Sequence, residues 1–385
     1  MRTAEAWVLY AGDPAAPVPG TLQLEEFPIG DPGPDDVLVE PIYGCWEANM
    51  SHALARRPID VARARGEARV VLGNSALLRV RETGSAVRHL AEGDLCVVNG
   101  ARWDRFGYPE QVWAYDWPGT VGFLARQLVM PSGAVEAIPR VTRFSPMEWA
   151  SFGVRYGTAY SNWQTAYGCW RTQMPEDTMA EPFVWTWGGG SSLGTAHLAR
   201  VLGFPAVMVT GSDRGRALCA RLGIQTLDRR EFPDLSYDEA RFASDAAYRK
   251  AYRISEDAFH ARVMDMTDQL GASIFIDYLG SPVVRATLRV LGRQGVISTA
   301  GWKFGMSITS MRAIECIRRH VHVHTHFVRR GEMARAVAFA EERGWMVPRS
   351  PDDRIWHWDE IPALAAAYGA GNADDYFPLF EVNPL

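Results

Sequence analysis

Apolar and polar positions divide the chain into two patterns. Through residue 150 the apolar residues come in short runs broken by turn chemistry: DVLVEPIYG (36–44), ARVVLGNSALLRVRETG (68–84), DLCVVNG (94–100) and QLVMPSG (127–133). Runs of this length, bounded by Gly, Pro, Asn and Asp, predict strands. ETGSAVRHLAEGD, between two of them, predicts a hairpin-like connection closed by a Gly-Asp turn. From Pro146 the period turns helical, through MEWASFGVRYGTAYSNWQTAYG. Strands and helices then alternate. Strands are expected at 183–187, 205–209, 224–227, 273–280, 295–301 and 320–327, with helices after Gly188 and at 214–222, 257–270 and 282–291. Such alternation implies a parallel sheet with right-handed crossovers. A polar, helical-looking stretch at 229–262 exceeds an ordinary connection and reads as an insertion for substrate or subunit contact. A helix at 332–343 leads to a tail with a last strand at 378–382, expected to fold back onto the first domain.

Length and composition narrow the class. A chain of 385 residues suits two domains, and 47% hydrophobic with 22% charged residues is a globular composition. A net charge of −5, with no Lys/Arg run, argues against a nucleic-acid partner. No apolar stretch approaches the roughly 18 residues that cross a bilayer. The start, MRTAEAWVLYAG, lacks a signal-peptide pattern, so cytoplasmic residence is expected. The five cysteines are widely spaced without a C-x-x-C pair, which points to buried thiols rather than a zinc knuckle or redox dithiol. Trp103, Phe106, Tyr108, Trp113, Tyr115 and Trp117 form an aromatic-rich segment that would either line a cavity or pack a core.

The stretch FVWTWGGGSSLGTAHLARVLGFPAVMVTGS (183–212) carries the strongest chemical signal. An apolar strand runs into a glycine-rich turn, then a helix with Leu193, Ala196, Leu198, Val201 and Leu202 at helical spacing, then a second strand. This is the context in which a glycine-rich turn binds a dinucleotide, because small residues let a pyrophosphate approach the amides opening the helix. Gly188, Gly190, Ser191, Ser192, Leu193 and Gly194 are the candidate contacts, with Ser191 where a middle glycine often sits. The alternative is a turn used only for packing. The second strand ends in Thr210-Gly211-Ser212-Asp213-Arg214-Gly215-Arg216. Ser212, Arg214 and Arg216 favour a 2′-phosphate, and so NADPH over NADH. Asp213 could instead accept ribose hydroxyls or cap the helix, and the arginines could be solvated.

Taken with VWAYDWPGTVGFLARQ (112–127), VRYGTAY (154–160) and THFVRR (325–330), the chain resembles the medium-chain dehydrogenase/reductase superfamily. It is most similar to the crotonyl-CoA carboxylase/reductase-like enoyl-thioester reductases. The resemblance implies an α/β fold: a GroES-like β-barrel-type domain over 1–150 and 328–385, and a Rossmann doubly wound parallel sheet over 151–327. It implies a homodimer or homotetramer built partly through edge strands, acting on a small-molecule or carrier-bound acyl substrate. Thr158 matches a position near the nicotinamide carboxamide, and Ala300, Gly301 and Trp302 resemble the backbone lining that ring. An aromatic-acidic pair, a histidine and an asparagine surround carbon dioxide in the carboxylating members. Tyr115-Asp116 stand for the pair, His326 for the histidine, and Trp46 falls on the asparagine. Zinc-dependent members carry a cysteine near Trp46 and Gly-His-Glu where this chain has Gly73-Asn74-Ser75. Cys45 and His52 are too few for a catalytic zinc, so no metal is expected.

The implied activity is NADPH-dependent, zinc-free reduction of a conjugated C=C in an enoyl thioester or enone-type metabolite. Carbonyl or quinone reduction, reductive carboxylation of an enoyl-CoA, and a catalytically silent NADPH-binding protein are the alternatives. Tyr43, Tyr156 and Tyr160 are further proton-donor candidates. Four histidines at 320, 322, 324 and 326 would share one face of a strand, suited to an interface or cleft wall and less so to a metal. Arg229, Arg230, Arg241 and Arg249 offer the only basic grip for CoA phosphates.

Overall fold

The strand expected at 183–187 forms at Val184–Trp187, and every residue in it is buried. It lies inside a six-stranded sheet whose pairings are all parallel. The protein is seen here as a computed structural model describing residues 2–15, 18–174, 181–299, 317–349, 353–373 and 375–385. Its contacts define two units, Met1–Gly157 with Val328–Leu385, and Thr158–Phe327. The expected break at 150/151 falls later, inside helix Gly153–Arg171. The first turn of that helix is anchored in the first unit: Arg155 binds Glu47, and the Tyr156 hydroxyl accepts from Val347 N at 2.7 Å.

In the second unit the strands are Val184–Trp187, Ala206–Thr210, Gln225–Asp228, Ala272–Asp277, Leu291–Thr299 and His322–Thr325. Counted along the chain, they lie in the order third, second, first, fourth, fifth, sixth. That is the doubly wound order, and the direction of winding reverses between the first and fourth strands. The stretch at 229–262 is therefore no insertion. The third strand is an edge and its successor lies beyond the first, so the chain must cross the sheet. Helix Ala246–Met266 makes that crossing as one element, burying Tyr252, Phe259 and Val263. Two of the fourteen tryptophans, Trp185 and Trp187, belong to this core. Trp187 packs on Phe259 and Phe275 with ring centroids 5.2 and 5.5 Å away, and its indole N–H donates to Thr287 Oγ1 at 2.8 Å.

The first unit is organised around strand Asp36–Cys45, which pairs with Ala76–Thr83, Leu128–Pro131 and Leu379–Glu381, all antiparallel. The run expected at 68–84 splits, because Arg69–Val71 pairs instead with Thr3–Tyr10 in a separate three-stranded sheet. The aromatic-rich segment divides as well. Trp113 and Tyr115 are buried, whereas Phe106 and Tyr108 are exposed on the hairpin Ala101–Trp103/Pro109–Val112.

The tail strand closes onto Asp36–Cys45 through one close approach. Phe380 stands opposite Gly44, and a methyl group at Gly44 would overlap its ring. Gly44→Ala is expected to destabilise the first unit by about 1–3 kcal/mol, the range for overpacking. Combining it with Phe380→Leu should recover part of the loss. Chemical denaturation of the parent, the single and the double variant checks this.

Candidate functional site

The glycine-rich turn sits where the winding reverses. Gly188 N donates to Val209 O at 2.9 Å, carrying the sheet pairing one residue past the strand. Gly189 then takes φ 140° and ψ 164°, a conformation that residues with a Cβ rarely adopt, and caps helix Gly190–Val201. A glycine cap has no side chain to satisfy the amides of the first turn, and these, with the helix dipole, suit an anion. Ser192 is 1% exposed and its buried Oγ has no hydrogen-bond partner among the described residues. Leu193 and Gly194 are buried against the sheet, and Ser191 O accepts from Thr195 Oγ1 at 2.9 Å. These residues fit a dinucleotide pyrophosphate.

Beside this turn lies a buried polar network that no motif announces. Asn162 Nδ2 donates to the Tyr278 hydroxyl at 3.0 Å, and Ser298 Oγ donates to Asn162 Oδ1. The Tyr278 hydroxyl also lies 3.4 Å from Thr195 Oγ1, which joins the network to the turn. Burial pushes the Tyr278 phenol up to about 12. Next to it, Asp277 accepts from Leu279 N and Gly280 N at 2.7 and 3.1 Å, yet burial still raises its carboxyl to about 6.

At the end of the second strand, Ser212 Oγ accepts from Gly215 N at 3.0 Å and so caps helix Asp213–Arg221. Arg216 is tied to Asp213 and Asp228, and Arg230 joins the same cluster. Arg214 is exposed on the helix's first turn. Of the other basic residues suggested for CoA, Arg241 lies 3.9 Å from Asp245, and Arg249 donates to the carbonyls of Phe242 and Ala243.

The histidine run does not form one face. His320 is exposed, with φ 53°, ahead of the strand His322–Thr325. His326 follows the strand and is buried, its Nε2 2.8 Å from Ser161 Oγ and its Nδ1 3.3 Å from Thr165 Oγ1. Thr158 is half-buried on helix Gly153–Arg171, whereas Ala300, Gly301 and Trp302 lie outside the described residues. Among the described residues, no group of three or more His, Cys, Asp or Glu side chains is placed to hold a metal ion, and no helix is long and apolar enough to cross a membrane.

In the first unit Trp46 is fully buried and its indole N–H donates to Ser51 Oγ at 2.9 Å. Its carbonyl accepts from Arg155 Nη2 at 2.7 Å, while Arg155 Nε binds Glu47 at 3.0 Å. Both charged side chains are 7% exposed, and burial, outweighing Arg155, pushes the Glu47 carboxyl up. Asn74 is 4% exposed and its Oδ1 lacks a partner. Tyr115 is 7% exposed with no partner for its hydroxyl, and burial, then Asp116, raises its pKa. Asp116 itself is half-buried and accepts from Val112 N at 2.5 Å, holding the turn that presents Tyr115. Of the other tyrosines, Tyr156 is committed to Val347 N, and Tyr43 is half-buried.

No family model matches the sequence. Over 84 residues it is 34% identical to the sorbitol dehydrogenase of Ovis aries, a match covering 20% of this chain and 21% of that protein. The chain therefore matches only about a fifth of that relative's length. A solved variant of the crotonyl-CoA carboxylase/reductase AntE, in complex with NADP, is similar at a TM-score of 0.80 and 22% identity, covering 100% of this chain and 96% of that one. The chain has the fold of these reductases. The 2-octenoyl-CoA carboxylase reductase CinF, solved with NADP and 2-octenoyl-CoA, also gives 0.80, at 19% identity over 100% of this chain and 89% of its own. The two units accordingly are a GroES-like barrel unit and a Rossmann unit.

Two buried ionisable groups of the Rossmann unit respond oppositely to pH. Burial lowers His197 to about 4, so its contribution is present above the ordinary histidine value of about 6.5 and is lost as pH falls. Asp277, raised to about 6, contributes below the ordinary carboxylate range and loses that contribution as pH rises. Relative to the parent, His197→Leu should gain stability as pH falls from about 6.5 to 4.5. Asp277→Asn should gain as pH rises from about 4 to 6. Urea unfolding across that range reads both slopes.

Proposed function

We propose that the chain is an NADPH-dependent, zinc-free oxidoreductase that reduces a carbon–carbon double bond conjugated to a carbonyl, in an enoyl thioester or enone-type metabolite. The observation that carries this reading is the glycine turn at the sheet's switch point, with the buried Ser192 hydroxyl unpartnered beside an open helix start. Arg216 and Arg230 at the end of the neighbouring strands favour the phosphorylated coenzyme. The likeness to reductases solved with NADP, one of them with 2-octenoyl-CoA, supports the same class.

NADPH, when bound, supplies the hydride. The amides at 190–192 and the Ser192 hydroxyl would hold its pyrophosphate, and the arginines with Ser212 its 2′-phosphate. By resemblance, Thr158 and residues 300–302 would flank the nicotinamide. Reduction of the conjugated bond would place enolate charge on the carbonyl oxygen, which donors from the chain would have to meet. Tyr115 would be such a donor, and its raised pKa and a hydroxyl without a partner among the described residues support this. Asp116 positions that tyrosine, and His326, held by two hydroxyls, is a further donor candidate. The zinc ligand places hold an indole whose N–H is taken by Ser51 and a carboxamide, which are not a zinc donor set. Trp46 in the asparagine's place removes an amide donor for carbon dioxide, so reduction proceeds without carboxylation. A homodimer or homotetramer in the cytoplasm is the accompanying proposal.

The test follows NADPH absorbance with crotonyl-CoA and with a panel of enals, enones and quinones, each with and without bicarbonate or a chelator. Oxidation of NADPH by a conjugated substrate is expected, unchanged by either addition, with Tyr115→Phe lowering kcat at least about 100-fold. Stoichiometric zinc, or tight NADPH binding with no turnover across the panel, would overturn the reading.

A further inference from the structure

The cluster at the ends of the second and third strands of the Rossmann unit holds two carboxylates in unequal situations. Asp228 ends the third strand, 23% exposed, and anchors both arginines from behind. It accepts from Arg216 Nη1 at 2.9 Å, from Arg230 Nη2 at 2.7 Å, and from the Arg230 backbone N at 2.9 Å. These Arg230 bonds, with the charge of Arg216, hold its carboxyl down at about 2. Asp213 opens helix Asp213–Arg221 and is 75% exposed. Nη2 of Arg216 and Nη2 of Arg230, the latter at 2.9 Å, converge on the same oxygen of Asp213.

A single exposed oxygen gripped by two anchored guanidinium groups is how a phosphate oxygen is held. A carboxylate placed only to favour the helix start would need neither arginine. We infer that Asp213 is an internal substitute for the coenzyme's 2′-phosphate, occupying the anion position until a phosphomonoester displaces it, with Arg230 as the second jaw beside Arg216. This rests on the phosphorylated-coenzyme reading above. A phosphomonoester carries more negative charge and more acceptor oxygens than the carboxylate, so it wins the exchange, but it binds more weakly than it would to unoccupied arginines. Asp213 thus sets the coenzyme affinity by competition, and removing an acidic residue from the site tightens binding. Arg230 lies after the third strand, away from the second-strand tip where the preference is ordinarily sought.

Calorimetry on the full-length protein with 2′,5′-ADP and with 5′-AMP tests this without turnover. The parent is expected to prefer 2′,5′-ADP. Asp213→Asn should tighten 2′,5′-ADP by about fivefold or more and leave 5′-AMP within about twofold. Arg230→Gln should weaken 2′,5′-ADP by about tenfold and leave 5′-AMP nearly unmoved. Asp213→Ser, which keeps a residue suited to a helix start, gives the same readout should the asparagine variant fold poorly. If the parent prefers 2′,5′-ADP while both Asp213 variants bind it equally or more weakly, the substitute role is overturned and the coenzyme reading stands. If the parent binds both ligands alike, or neither, the phosphorylated-coenzyme reading fails and this inference falls with it.

Discussion

One constraint organises the Rossmann unit: every pairing in its six-stranded sheet is parallel. Parallel neighbours require each connection to return across a face, so every strand delivers its carboxyl end to one edge. Segments far apart in sequence are thereby brought together. The turn at 188–190, the tip at 210–216, Asp228 with Arg230, and Asp277 with Tyr278 all leave strands at that edge. Reversal of the winding between the first and fourth strands opens the crevice, and the glycine turn and Tyr278 stand on its two sides. Chemistry gathers there because topology leaves backbone ends unpaired, not because any one motif demands it.

The barrel unit depends on a different interaction. Glu47 and Arg155 form a buried ion pair, and Arg155 also takes the carbonyl of Trp46. Such a pair contributes little net stability once both charges have left water. Its effect is positional: it pins the segment after strand Asp36–Cys45 while the indole of Trp46 is fixed by Ser51. Trp46 is thereby fixed twice, its backbone by Arg155 and its indole by Ser51.

The alternation of strands and helices from 183 to 299 was legible because buried strands and amphipathic helices have different periods. Helix 332–343 and the returning tail strand were legible for the same reason. What the periods hide is connectivity. Nothing local distinguishes an insertion at 229–262 from a crossover; only the edge position of Gln225–Asp228 decides it. The split of 68–84 between two sheets is likewise invisible, since both halves are apolar. Site residues divide along similar lines. The glycine turn has a sequence signature, whereas Asn162, Tyr278 and Ser298 meet only once the sheet exists. Arg230 and Asp228 read as surface charges until the second and third strands are set side by side. The histidine spacing misled because His320, with its left-handed backbone, lies ahead of the strand and His326 lies beyond its end.

The barrel unit is written in two pieces, with the Rossmann unit between them. On the ribosome the central unit emerges whole, while strand Asp36–Cys45 still waits for the partner strand encoded after that unit. Until Leu379–Glu381 arrives, Gly44 offers a bare backbone margin where the Phe380 ring will later lie. The nascent chain thus carries a finished unit and an unsealed one, and the arrival of Leu379–Glu381 decides when the adhesive margin disappears.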